Sequence, residues 1–149
     1  DYKIKCAIGI RGINYKKKEG DLITPKGSFK IKVILYRKDR IKRIKTKIKK
    51  ISLTKSMGWC DDSSSTKYNQ LIKYPFKYRS EKLFKSDNSY DIILVLNFNM
   101  DPIKKNKGSA IFIHLTKNYK KTLGCIALKK NDLLILLKII NKKSKIKIC

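Results

Sequence analysis

Acidic residues are scarce in this chain. Only 11 Asp and Glu stand against 38 Lys and Arg, a formal net charge of +27 over 149 residues. Arginine is scarce too: Arg11, Arg37, Arg40, Arg43 and Arg79 are the whole set, so 33 lysines spread along the chain carry the charge. A specific nucleic-acid reader favours arginine forks and a localised basic stripe, and this distribution offers neither. The charge reads as a solvated lysine-rich surface that attracts polyanions in general. No run of about twenty apolar residues occurs, so no transmembrane segment is expected. No export signal stands within the 149 residues, and a start at Asp1 is compatible with a removed leader or a trimmed end. Cys6, Cys60, Cys125 and Cys149 lack CxxC or Cys/His ligand spacing, which argues against structural zinc. No glycine-rich phosphate loop is present either, and neither a metal nor a cofactor is expected.

What is present is enough apolar sequence to fold. Hydrophobic residues make up 42% and aromatics 9%, well above a disordered composition. Without an internal repeat or a boundary, residues 1–149 read as a single domain, acting as a monomer. Cys6 and Cys149 lie near the two ends of the chain, which often meet in a domain, so a disulfide between them is conceivable.

The chemistry concentrates in Ser109–Leu128. His114 is the one histidine of the chain, and it closes the apolar strand Ala110-Ile111-Phe112-Ile113. Cys125 follows eleven residues later, after a polar, basic connection from Thr116 to Lys121 and the compact step Thr122-Leu123-Gly124. A neighbouring imidazole lowers a thiol pKa and shuttles the proton to a leaving amine, which is the logic of a cysteine nucleophile. Gly124 lets the backbone approach a substrate. Its N–H and that of Cys125 are natural oxyanion donors.

Taken in order, Tyr2, Ile4, Cys6, Ile8 and Ile10 alternate and predict a strand with one apolar face. Thr24-Pro25-Lys26-Gly27 predicts a type I turn that launches a strand with Phe29, Ile31, Val33 and Leu35 inward. Between Arg37 and Lys55, isoleucines at spacings of three and four fit an amphipathic helix or irregular strands. Gly58 to Ser65 is a loop by composition. It holds the single tryptophan, Trp59, and the carboxylate pair Asp61 and Asp62, either as a loop whose Trp plugs the core or as a wall of a substrate cleft. Ser80–Phe84 reads as a short helical turn. Tyr90–Phe98 is near-continuously apolar, as a strand covered on both faces should be. Asn131 is the expected cap of a helix carrying Leu133, Leu134, Leu136, Leu137 and Ile140, and Lys145–Ile148 is a closing strand. The class is therefore mainly β, with one main C-terminal helix and short helical turns.

Glu19-Gly20-Asp21, Thr24-Pro25-Lys26-Gly27-Ser28-Phe29 and the block from Gly108 to Leu128, in that order, resemble the L,D-transpeptidase catalytic domain, the YkuD-like family. The resemblance spans about residues 2 to 140 and implies a mixed β-sandwich that holds a thiol over a cleft. It also implies cleavage after the L-centre of diaminopimelate in peptidoglycan stem peptides, through a thioester passed to an amine. By position Cys125 is the implied nucleophile, His114 the general base and acid, Gly124 and Cys125 the oxyanion donors, and Thr122 the residue that shapes the loop. Trp59, Asp61, Asp62 and Leu123 are the candidate substrate-binding residues, with the aspartates suited to the ammonium of diaminopimelate. Three positions depart from the family segment: Leu115 where a Gly is frequent, Leu123 where a second His is usual, and Ala127 where an Arg is usual. Lys117 or Lys129 would then replace that Arg as point charges. Hydrolysis by water, an L,D-carboxypeptidase outcome, and a non-catalytic polyanion-binding module are the alternatives. Stem peptides imply the periplasm or cell envelope, with a cytosolic role in turnover of imported wall peptides left open.

Overall fold

Strand alternation sorts the apolar residues onto two sides of one sheet, and a computed structural model shows how, describing residues 3–149. Tyr2 of the expected first strand lies outside that range. The elements in chain order are β1 (Cys6–Ala7), β2 (Ile13–Asn14), β3 (Thr24–Pro25), β4 (Gly27–Tyr36), β5 (Lys50–Ser52), β6 (Met57–Cys60), β7 (Leu71–Lys73), β8 (Ser80–Lys82), β9 (Ile92–Leu96), β10 (Phe112–Leu115), β11 (Ile126–Leu128), α1 (Lys130–Ile139) and β12 (Lys145–Ile148). The main sheet runs β1-β11-β10-β9-β4-β12, with β5 alongside β4. β6 is the centre of a small antiparallel sheet with β7 and β8, and β2 pairs with β3.

Every residue of β9 is buried, and the strand feeds both cores. Ile92, Leu94 and Leu96 face one cluster, which α1 covers with Leu133 and Leu137 and the 41–48 segment covers with Ile41, Ile44 and Ile48. Ile93 and Val95 face a second cluster with Trp59, Leu83, Tyr90 and Phe112, roofed by the small sheet. Each fully buried Ile, Leu or Phe contributes ~1.5–3 kcal/mol through apolar burial. A register shift between Ile31 and Val33 lets both Ile31 and Ile34 face the first cluster. The result is mainly β, a mixed β-sandwich with one helix.

Several local expectations are corrected. In the first strand Ala7 and Gly9 turn inward while Cys6 and Ile10 are exposed, because pairing of Ala7 with Ala127 sets the face. Thr24–Pro25 is a strand rather than a turn: Thr24 N–H donates to Gly12 O and Lys26 N–H to Asn14 O. Of the helix and the irregular strands that residues 37–55 allowed, no helix forms. Irregular chain there buries its isoleucines before β5 joins β4 in parallel. Gly58-Trp59-Cys60 and Ser80–Lys82, expected as loop and helical turn, are strands held by one another (Gly58 opposite Lys82, Trp59 opposite Glu81). The helix is capped by Lys129 without a side-chain bond, so Asn131 lies inside it, with Asp132 in its first turn. All four cysteines are free. β1 carries Cys6 at one end of the strand order and Cys149 follows β12 at the other, which separates the two thiols.

Candidate active site

β10 and β11 run parallel, with His114 opposite Ala127 and Ile113 opposite Ile126. Residues two apart share a face of a strand, so Cys125 joins Phe112 and His114 on the side of the second core. Both side chains line a cleft of about 750 Å³. Beside His114, the same row continues through Ala127 to Ala7, so only small side chains flank the imidazole across the sheet.

The imidazole is held by two contacts. Its Nδ1–H donates to the Leu115 carbonyl at 2.9 Å, since a carbonyl can only accept, and this leaves Nε2 as the basic nitrogen. Tyr90 packs edge-on at 5.3 Å between centroids. Tyr90 OH is in turn fixed by donating to Glu81 Oε1 at 2.5 Å. Burial lowers the His114 pKa, outweighing the carbonyl contact and the Glu81 charge that favour the imidazolium. The resting imidazole is therefore neutral.

Cys125 is half-buried as a residue, yet its sulfur sits deep enough that burial pushes the thiol up to about 12. The Phe112 N–H, which donates to Sγ at 3.4 Å, opposes this, as do the Lys16 and Lys85 charges. The S–H donates to Ala110 O at 3.2 Å. Among the described residues the thiol and imidazole share no direct hydrogen bond, and burial favours the neutral form of each.

The loop before the cysteine is tied at both sides. Thr122 N–H donates to Ile8 O and Ile10 N–H to Thr122 O, and Thr122 Oγ1 donates to Cys125 O at 2.5 Å. Thr24, fully buried, accepts from Gly9 N–H and donates to Gly124 O, both at 2.8 Å. Gly124 has φ +146° and lies against Ile23 O, a conformation and an approach that suit glycine. Its N–H is occupied by Thr122 Oγ1 at 3.1 Å, contrary to a simple oxyanion-donor reading. The Cys125 N–H makes no hydrogen bond among the described residues.

The walls differ from the sequence reading. Trp59 is in the core and not on the cleft: its Nε1–H donates to Asn69 Oδ1, and its ring meets Phe112 at 5.2 Å. Asp61 does line the cleft, paired with Arg79 at 3.2 Å. Asp62 does not line it, because its carboxylate accepts from Ser64 N–H and Oγ and from Arg79 N–H. Leu123 is 72% exposed at the rim. Lys117 lines the cleft, whereas Lys129 lies over the Tyr119 ring and does not. Sequence reasoning missed Tyr90, Glu81 and Lys85, which surround His114. It also missed Glu19, which lines the cleft and accepts from Tyr68 OH and Ser109 Oγ. The scarcity of acids was the available signal: Glu19, Asp61 and Glu81 all collect on this cleft.

A family model described as the L,D-transpeptidase catalytic domain matches residues 1–148. No curated protein matches the chain.

Proposed function

The chain belongs to the L,D-transpeptidase catalytic domain family, and from that premise we propose that it is a cysteine acyltransferase acting on peptidoglycan stem peptides. The observation that carries the reading is the placement of His114 on β10 and of Cys125 just before β11 on the same face, lining one cleft, with His114 Nδ1 committed to Leu115 O. Nε2 is then the base. On substrate binding the S–H leaves Ala110 O for Nε2, and Sγ bonds to the carbonyl carbon of the donor peptide bond. The oxyanion is met by Cys125 N–H, joined by Gly124 N–H when that group releases Thr122. His114 returns the proton to the departing amine, leaving a thioester. An acceptor amine attacks the thioester and loses its proton to Nε2, and the thiol is restored.

With Ala127 in the row beside His114, donor carboxylates meet the Arg79 fork and the Lys85 and Lys117 ammonium groups instead. Asp61 is the carboxylate on hand for a donor ammonium. Stem peptides lie outside the cytoplasmic membrane, so the proposed reaction belongs in the cell envelope.

Intact-mass measurement after incubation with a carbapenem, an acylating mimic of the donor, tests the reading. One covalent adduct is expected, lost in Cys125→Ala, and its absence from the wild type would refute the nucleophile assignment. A stem tetrapeptide, incubated with and without an amine acceptor, then separates transfer from hydrolysis by product mass. Asp61→Asn should raise KM for the tetrapeptide while leaving carbapenem acylation unchanged.

A further inference from the structure

While acids collect on the catalytic cleft, another part of the surface has little counter-charge. A second groove, of about 680 Å³, lies where β4 meets β12, and it shares no lining residue with the cleft. Lys30, Lys32, Lys49, Lys142 and Lys145 line it, with Asp101 as the single carboxylate. None of these five lysines is in an ion pair among the described residues. Lys30 and Lys145 stand directly opposite each other across the antiparallel pair. Like charges in that position destabilise a sheet, and a bound anion would relieve them. The backbone beneath is fixed, because Lys30 N–H donates to Asn97 Oδ1 at 2.9 Å and Asn97 N–H donates to Lys30 O at 3.0 Å.

The groove also says what kind of anion fits. Its lining contains no aromatic ring on which a base could stack and no arginine fork for a base edge. Several ammonium groups gathered in one groove act as point charges, suited to phosphates repeated along a chain. We propose that this groove binds a linear polyanion of repeated phosphates without bases, either a phosphoanhydride chain or a polyol-phosphate polymer. Such a site would hold the protein along an anionic polymer while the cleft on other strands remains open. The assignment is independent of the acyl-transfer chemistry.

Fluorescence anisotropy with end-labelled inorganic polyphosphate, poly(glycerol phosphate) and oligothymidylate of equal charge tests it. Lys30→Gln/Lys145→Gln removes a repulsion, so the variant should fold and be acylated like the wild type. Losing two phosphate contacts lowers the slope of log affinity against log salt by about 1.4, equivalent to about tenfold weaker binding at 0.15 M salt. Lys120→Gln/Lys121→Gln, on the cleft side, should change polyphosphate affinity by less than about twofold. Tighter binding of either phosphate polymer, with that pattern of losses, supports the groove and identifies its source. Equal losses in the two variants, tighter binding of oligothymidylate, or no binding of either polymer would overturn it.

Discussion

Replacing Thr24 with Val tests whether one hydroxyl holds the cysteine loop to the rest of the domain. Thr24 is 0% exposed, and its Oγ1 is the partner of both Gly9 N–H and Gly124 O. Val keeps the shape and removes the oxygen. Water is a poor substitute there: a Cβ built on Gly9 would stand 2.6 Å from Leu22 O and 3.2 Å from Gly124 Cα, so the chains are already in contact. Each orphaned backbone group costs ~1–3 kcal/mol, giving a total of about 2–6 kcal/mol for the pair. Thr24→Ser keeps the hydroxyl and loses a methyl, about 1 kcal/mol. Trp59, the single tryptophan and 5% exposed, is the natural reporter for urea denaturation. The expected result is a much lower midpoint for Val than for Ser at unchanged slope. Because Gly124 O is one of the two groups released, carbapenem acylation at Cys125 should slow in the folded Val variant and stay near wild type in Ser. Val costing no more than Ser would show that the bridge holds nothing.

Asp21 should set the acid limit of stability. Burial raises its pKa, but the Lys16 ammonium and the N–H groups of Lys17, Lys18 and Ile23 outweigh that and hold it at about 2. A depressed carboxyl stabilises the fold above its unfolded pKa near 3.9, and that contribution, on the order of 2 kcal/mol, is lost as pH falls from about 4 through 2. Asp21→Asn should abolish this part of the acid transition in thermal unfolding followed against pH. The second expectation concerns the thiol. With Cys6, Cys60 and Cys149 changed to Ser, iodoacetamide should label Cys125 about a thousandfold more slowly than free cysteine at pH 7.5, with the rate still rising above pH 10. A rate plateau with its inflection below pH 8 would mean a thiolate–imidazolium pair instead.

Where local pattern and tertiary environment agreed, the sequence was readable. Ile92–Leu96, the helix with Leu133 and Leu137, and the closing Lys145–Ile148 strand all follow from runs or periods that a core imposes. β6 and β8 were not readable, because their composition is that of turns and their pairing is fixed by strands distant in the chain, as where Gly58 meets Lys82. The same holds for Thr24-Pro25, where pairing with Ile13-Asn14 decides the conformation. For the cleft, one histidine and a Gly-Cys step drew attention to His114 and Cys125, which the fold brings to one face. Its walls come from Glu19, Arg79, Glu81, Lys85 and Tyr90, whose convergence depends on how three sheets meet. Trp59 had two readings in the sequence, and burial against Phe112 favours the core.

Parallel pairing of β10 and β11 obliges the chain to travel back the length of a strand between them, and it does so in the short connection from Thr116 to Cys125 without a helix. That return path is stitched down where Thr116 N–H meets Leu128 O and where Thr122 meets Ile8 and Ile10. Lys117, Lys120 and Lys121 ride on the span between these stitches, at the mouth of the cleft. Reshaping the mouth of this cleft therefore has a natural insertion point: residues added between Lys117 and Lys121 would rebuild the doorway while both stitches keep the sulfur and the ring in register.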